Sequence, residues 1–143
     1  MRDNRARMTA AEYQAYLAKR KPRTNKYGAK RATSDMFPEL AGMTFPSKLE
    51  RDRAQELVIL QRAGQIAALQ FHPYVLLVNS TIGYHPDSVY LEKGEEIYEE
   101  VKGIEGKRWK LIKQLWAKHG PGPLRVVKRG AGGRLCVVEE IRP

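Results

Sequence analysis

Residues 86–102 read PDSVYLEKGEEIYEEVK and contain two runs of strand-forming residues. Strand-forming residues lie on both sides of Lys93-Gly94, a dipeptide that favours reversal of the chain. We therefore predict two strands, Tyr84–Leu91 and Glu96–Lys102, joined by a tight turn. The linker is short enough for the two strands to pair as an antiparallel hairpin.

The alternation of side chains along the second strand sorts its residues into two faces. One face carries Tyr98, Glu100 and Lys102, and the other carries Ile97, Glu99 and Val101. The second face is largely apolar, so we expect it to point to the core. Glu100 and Lys102 would then stand side by side on an open face.

Antiparallel pairing also brings a second carboxylate towards this face. Asp87 lies near the start of the first strand, and the pairing places it near Glu100. Two carboxylates without a cation repel each other, and a shared Mg²⁺ relieves the repulsion because hard cations take oxygen ligands. Lys102 can orient a water nucleophile or steady the charge of a phosphate. The pattern therefore indicates a site for phosphodiester hydrolysis.

The segments around the hairpin supply helices and further strands. Upstream, we predict a helix over Pro46–Ala63, with Ser47 as its N-cap and Gly64 just beyond its end. A β-like run follows over Ile66–Val78. Downstream, the predicted elements are a helix over Lys107–His119 and strands over Leu124–Lys128 and Arg134–Ile141. This order predicts an α/β fold with a central mixed five-stranded β-sheet flanked by helices.

The charge of the chain is concentrated at one end. The 143 residues carry a formal net charge of +10. Residues 1–34 carry +8 of it, and the remainder carries only +2. A basic arm on a nearly balanced body is typical of a protein with a polyanionic partner, and a solvated tail is the alternative. We assign 1–44 to the arm, with a short helix over Thr9–Arg20, and 45–143 to the folded domain.

Cysteine content and hydropathy indicate the compartment. Cys136 is the single cysteine, which excludes an internal disulfide and favours a reducing, intracellular environment. The N-terminal MRDNRARM is polar and lacks the apolar stretch of a secretory signal. The longest apolar runs are too short to span a bilayer. We therefore expect a cytoplasmic protein without a membrane partner.

Pro86-Asp87, followed after twelve residues by Glu100-Val101-Lys102, resembles the PD-(D/E)XK nuclease signature. Glu50 in the upstream helix completes its four-residue set. The arrangement looks most like the small Holliday junction resolvases of the archaeal type and their phage-encoded relatives, over roughly 45–127. The resemblance implies a restriction-endonuclease-like core. For a phage-encoded protein it also implies the cytoplasm of the host cell.

The resemblance also implies a role for each residue of the set. Asp87 and Glu100 would ligate Mg²⁺, or Mn²⁺ in its place, together with the carbonyl oxygen of Val101. Glu50 would complete the shell directly or through water. Lys102 would position the attacking water, and hydrolysis would leave a 5′-phosphate and a 3′-hydroxyl. Because a four-way junction needs two symmetric cuts, a two-fold homodimer is implied.

Residues close to the predicted site and basic residues in the arm are the expected DNA contacts. They are Ser47, Lys48, Arg51, Lys110, Lys113, Lys26, Lys30 and Arg31. Since phosphates carry the affinity and give no base readout, we expect a structure-selective protein with slight sequence selectivity.

Each residue of the set also has a simpler explanation. Glu50 occupies the N3 position of a capping box. Asp87 after a proline is a common turn residue, and Lys102 can merely end a strand. Two glutamates precede the valine, and both the spacing to the lysine and the strand alternation select Glu100 over Glu99.

Two other functions remain open at this point. One is a general DNA nuclease of the same fold that acts on duplex or ends. The other is a basic protein that binds nucleic acid without cutting it. Both share the basic arm, so charge alone does not separate them from a junction-resolving endonuclease.

Overall fold

The computed structural model describes residues 32–33 and 37–143. The short helix expected over Thr9–Arg20 lies outside these residues, and so do the expected DNA contacts Lys26, Lys30 and Arg31. Within the described part of the chain, no helix is both long enough and apolar enough to cross a membrane.

The described residues form two α-helices and nine β-strands, connected by loops and turns. The helices are α1 (Lys48–Arg62) and α2 (Lys107–His119). The strands are β1 (Ala32–Thr33), β2 (Thr44–Phe45), β3 (Ala67–Phe71), β4 (Val75–Leu77), β5 (Ile82–Tyr84), β6 (Ser88–Glu92), β7 (Glu95–Val101), β8 (Leu124–Arg129) and β9 (Leu135–Ile141). Single turns of 3-10 helix lie at Pro38–Leu40 and Ala131–Gly133. Both α-helices occur where the sequence predicts them.

Five strands form one mixed sheet in the order β3-β6-β7-β8-β9. β7 and β8 are parallel, and the other neighbours are antiparallel. Parallel neighbours cannot be joined by a tight turn, and α2 makes the crossover between them. The prediction of an α/β fold with a central mixed five-stranded sheet and flanking helices is confirmed. The remaining strands form two separate pairs, β1–β2 and β4–β5.

The β6–β7 hairpin has the turn that the sequence predicts. Lys93 and Gly94 have positive φ values of 50° and 80°. A two-residue turn with positive φ at both positions matches the twist of the flanking strands. The turn sets the pairing of Ser88 with Glu99, and this register brings Asp87, one residue before β6, alongside β7.

The core has two halves, one on each face of the sheet. On the α1 side, Leu57 packs with Ile97 of β7. On the α2 side, Trp116 packs with Tyr98, and their ring centroids are 5.1 Å apart. Neighbouring residues of β7 therefore face opposite halves of the core, and the strand is buried on both sides.

The expectation of an open face on β7 is wrong. Glu100 is only 6% exposed and Tyr98 is buried, because α2 and the β4–β5 pair pack against this side of the sheet. The predicted alternation itself holds, since Ile97 and Glu99 lie on the other side. Burial on both faces is common for a strand that has a parallel neighbour.

Two segments differ from their predicted structure. Residues 37–44 were assigned to the arm, yet Leu40 is fully buried in a cluster with Phe45 and α1, and β1 pairs with β2. Packing therefore begins before residue 45. Pro86 separates β5 from β6 within the single strand expected over Tyr84–Leu91, since proline cannot donate to a strand ladder.

Candidate metal centre

The first turn of α1 sets the position of Glu50. Ser47 caps the helix, and its Oγ accepts a hydrogen bond from the Glu50 N–H at 3.2 Å. The Glu50 carboxyl lies beside His72 and Asp87 instead of closing a capping box. Its Oε1 is buried, lies 3.6 Å from His72 Nε2, and has no hydrogen-bond partner among the described residues. Ser47 therefore serves as the cap, and the Glu50 carboxyl belongs to the site.

Asp87 is held by backbone groups on both sides. Its N–H donates to the Glu99 carbonyl at 3.0 Å, and its own carbonyl accepts from the His72 N–H at 2.9 Å. Its Oδ2 accepts a hydrogen bond from the Val101 N–H at 2.7 Å. The preceding Pro86 is fully buried. Together these contacts fix the carboxyl between the end of β3 and the end of β7.

Glu100 and Lys102 form an ion pair on the α2 side of β7. Lys102 Nζ lies 2.7 Å from Glu100 Oε1 and 4.5 Å from the centroid of the Trp109 ring. The negative face of an indole ring attracts a cation in this position. Glu100 Oε2 is buried and makes no hydrogen bond to any residue that the structure describes. The Tyr84 hydroxyl also lies close to this carboxylate.

His72 is a member of the site that the sequence analysis missed. Ligand atoms of Glu50, His72 and Asp87 all lie within 4.8 Å of one another, so this group can hold a metal ion. The φ of His72 is 53°, a left-handed conformation that is uncommon for a non-glycine residue and often marks a functional site. The pairing of Phe71 with Ser88 sets His72 opposite Asp87. Because that pairing joins strands that are distant in the sequence, no local motif marks His72 as a member of the site.

Burial raises the pKa of all three carboxyls, Glu50, Asp87 and Glu100, and repulsion between carboxylates adds to the rise for Glu50 and Asp87. The pKa of Glu50 rises to about 7, chiefly through burial and then through the charge of Glu100. Burial also raises the pKa of Asp87 well above its ordinary value, and Glu100 and Glu50 add to the effect. The pKa of Glu100 is raised by burial, against the opposing pull of Lys102. Because one ammonium does not balance three carboxylates, the site favours either protons or an added cation.

Two rings at the edge of the site have shifted pKa values as well. Burial, and then the nearby His85, lower the pKa of His72. The neutral imidazole, which is the form that binds a metal, is therefore favoured. Burial, and then the charge of Glu100, raise the pKa of Tyr84, so its hydroxyl stays protonated.

The side chain of Glu99 lies on the opposite face of β7 from Glu100. This carboxylate is 0% exposed and accepts hydrogen bonds from Arg53 Nε at 2.5 Å and Arg53 Nη2 at 3.0 Å. The Tyr90 hydroxyl donates to it at 2.8 Å. Arg53 follows Glu50 by one helical turn, and Glu99 precedes Glu100. The buried pair therefore ties α1 to β7 at the point where each element contributes a carboxyl to the site.

The four residues predicted as catalytic lie close together. Glu50, Asp87, Glu100 and Lys102 interact electrostatically with one another, although they come from a helix, a loop and a strand. Val101, predicted to offer its carbonyl oxygen, is in contact with Asp87 through its N–H.

The predicted DNA contacts are spread over more than one surface. Lys48 and Lys110 are exposed. Arg51 pairs with Asp52 at 2.8 Å, and Lys113 pairs with Glu139 at 3.1 Å. The Ser47 hydroxyl is already engaged as the cap of α1.

The chain matches no protein-family model, and a search of curated proteins finds no match either. The fold and the site therefore define the class by geometry: a mixed α/β protein in which Glu50, His72 and Asp87 form a group that can hold a metal ion. Carboxylates of this kind with a nearby cationic side chain are typical of hydrolytic metal sites.

Proposed function

We propose that the chain is a divalent-metal-dependent DNA endonuclease with a PD-(D/E)XK centre in a restriction-endonuclease-like core. One observation carries the proposal: Glu50, Asp87 and Glu100 converge in the interior beside a single ammonium group. Burying carboxylates without a compensating charge costs folding free energy, and it does not stabilise the fold. A metal-dependent hydrolase requires such a group, because the ion restores the balance.

The donor set fits a hard divalent cation. Glu50 Oε1 and Glu100 Oε2 are buried oxygens without hydrogen-bond partners in the described part of the chain, and Asp87 lies beside them. Carboxylate oxygens suit Mg²⁺, and the imidazole of His72 also suits Mn²⁺. Glu50, His72 and Asp87, whose ligand atoms lie within 4.8 Å of one another, would hold the ion, and Glu100, which lies outside that group, and the Val101 carbonyl would complete its shell. When bound, a divalent ion supplies Lewis acidity and makes water a better nucleophile.

Lys102 is the residue that would meet the scissile phosphate. Its Nζ is held between Glu100 and the ring of Trp109. From this position the ammonium can donate to the attacking water and to a phosphate oxygen. The water oxygen would then bond to phosphorus as one of its protons passes to a carboxylate of the site. The bond to the 3′ oxygen would break and that oxygen would take a proton from solvent, which leaves a 5′-phosphate and a 3′-hydroxyl. Positioning and charge compensation of this kind are the main protein contributions to phosphoryl transfer.

The charge distribution supports DNA as the substrate. Residues 1–34 carry +8, and Lys48 and Lys110 are exposed on the body. Each contact between such a side chain and a phosphate releases counterions, which favours binding. The preferred substrate in this proposal is a four-way junction, cut symmetrically by a two-fold homodimer like the resolvases that the motif resembles.

Cleavage of a synthetic four-way junction in Mg²⁺ tests the proposal. The wild-type protein should cut it, and Asp87→Asn should not, because the substitution removes a charged ligand while the backbone hydrogen bonds remain. Glu95→Gln is the matched control: it removes an exposed carboxylate at the far end of β7, which pairs with Arg142, and should leave cleavage unchanged. Cleavage by Asp87→Asn at the wild-type rate would contradict the site.

The same assay separates the other functions. Equal rates on the junction and on its linear duplex arms would favour a general nuclease of the same fold. Tight binding without cleavage in Mg²⁺ or Mn²⁺ would leave a basic nucleic-acid-binding protein. In that case the acidic group would have a role other than catalysis.

A further inference from the structure

A cavity opens beside Lys102, and Asp87 is not among the residues that line it. Its volume is about 200 Å³. Tyr84, Ile104 and Trp109 are among its wall residues, and Arg108 lies at its edge with Lys102. Sites for drug-sized ligands usually measure roughly 300–1,000 Å³. A cavity smaller than these suits one small unit, such as a single nucleotide.

Both charged residues that line this cavity, Lys102 and Arg108, are basic. Lys102 is paired with Glu100, and the neighbouring Glu105 is paired with Lys128. Arg108 forms no ion pair with an acidic residue of the described ranges, so it carries the unbalanced charge of the lining. Gly106 occupies the N-cap position of α2 and has no side chain to cap it, and the first turn of α2 contains no acidic residue. The free N–H groups of a helix N-terminus add to the positive potential. The cavity therefore favours an anionic group.

Besides the two basic residues, apolar and aromatic side chains line the cavity. Ile104 lines the cavity and is 69% exposed, whereas Trp109, which also lines it, is buried. Trp109 Nε1 is a buried donor close to the Glu105 carboxyl, and the Tyr84 hydroxyl is a buried donor close to the Glu100 carboxyl. A flat ring that carries a phosphate matches the apolar walls and Arg108, and a nucleotide is such a group.

We propose that this cavity binds one nucleotide of the DNA strand next to the scissile phosphate, with its base against Ile104 and Trp109 and its phosphate near Arg108. The assignment of the neighbouring phosphate rests on the proposed nuclease function. A base can enter the cavity only after it leaves the helical stack. Unstacking is costly in a regular duplex and cheaper where pairing is already disturbed. The cavity thus gives a physical reason for preferring branched DNA over linear duplex.

The two tryptophans of the chain provide the test and its internal control. Trp109 lines the cavity, whereas Trp116 is fully buried and donates from Nε1 to the Gly122 carbonyl at 2.8 Å. Thymidine 5′-monophosphate is titrated into ¹⁵N-labelled full-length protein without divalent metal. The indole resonance of Trp109 should shift and saturate, and that of Trp116 should not. A shift of both indoles, or of neither, overturns the proposal.

Surface variants locate the binding without disturbing the core. Ile104→Ala and Arg108→Gln should each weaken nucleotide binding by roughly tenfold, since they remove the apolar contact and the phosphate contact respectively. Lys118→Gln, an exposed lysine in the last turn of α2, is the control and should bind like wild type. Equal affinity of all three variants would contradict the placement of the nucleotide.

The nucleotide site and the nuclease function can fail separately. Asp87→Asn should retain the Trp109 shift although it does not cut, because Asp87 is not a wall residue of this cavity. If the wild-type protein shows the Trp109 shift but never cleaves DNA, the nuclease proposal is wrong and the nucleotide site stands. If it cleaves junctions without the shift, only the proposal of a nucleotide site is wrong.

Discussion

Replacing Arg53 with methionine should destabilise the protein far more than replacing a surface arginine of the same helix. Arg53 is the charged partner of Glu99, which is 0% exposed and accepts two of its hydrogen bonds, at 2.5 and 3.0 Å. Methionine has a similar volume and helix propensity, so the lost charge is the main change. Removing one partner of a buried ion pair costs about 3–5 kcal/mol, because the remaining charge is uncompensated. That is a large share of the roughly 5–15 kcal/mol that stabilises a domain.

Arg62 provides the matched control on α1. It forms a bidentate pair with Glu39, with both hydrogen bonds at 2.7 Å, but the two side chains are 50% and 38% exposed. Arg62→Met should therefore cost much less than Arg53→Met, because solvent screens an exposed ion pair. Urea unfolding followed by circular dichroism gives the free energy of unfolding of each variant by linear extrapolation.

A double variant separates the lost charge from the lost packing. Arg53→Met combined with Glu99→Gln should recover a large part of the loss, since no buried charge remains and the amide oxygen still accepts from Tyr90. Equal losses for Arg53→Met and Arg62→Met, or a double variant as unstable as Arg53→Met, would refute this explanation of how α1 is fixed on β7.

The site and the arm give three more expected outcomes. In EDTA, the free energy of unfolding should fall as the pH rises from about 4.5 to 7. The folded state holds the Glu50 proton more tightly than the unfolded chain does, and this difference contributes at most about 3 kcal/mol to the fall. The pKa values of Asp87 and Glu100 are also raised, whereas the pKa of His72 is lowered. Melting curves recorded at several pH values should show a net fall in stability, and Glu50→Gln should reduce that fall. His72→Ala should weaken Mn²⁺ binding more than Mg²⁺ binding, because imidazole suits Mn²⁺ better, and equal losses in calorimetric titrations would remove His72 from the ligand set. Deleting residues 1–31, which spares β1, should flatten the salt dependence of DNA binding by about 0.9 in log–log slope per lost phosphate contact, and an unchanged slope would remove the arm from the interface.

Features set by neighbouring residues could be predicted from the sequence. Ser47 caps α1, Gly64 with φ of 73° follows its end, and Lys93-Gly94 turns the chain between β6 and β7. Each depends on interactions within a few positions along the chain. The approach of Asp87 to Glu100 was predictable for the same reason, since a short hairpin determines it.

Features set by tertiary contacts could not be predicted in this way. Both faces of β7 carry a glutamate among apolar residues, so the sequence does not say that α2 covers the face of Glu100. His72 joins the site only through the pairing of β3 with β6. Leu40 is buried only because its segment packs with α1. The position of Glu50 likewise depends on the long-range contact between Arg53 and Glu99.

Anomalous diffraction from crystals soaked in Mn²⁺ tests the central claim most directly, since it locates the ion without relying on catalysis. The convergence of Glu50, Asp87 and Glu100 predicts a manganese peak within bonding distance of these carboxylates, and Asp87→Asn crystals should lack it. A soaked wild-type crystal whose only manganese lies at surface carboxylates, with none at this group, would contradict the claim.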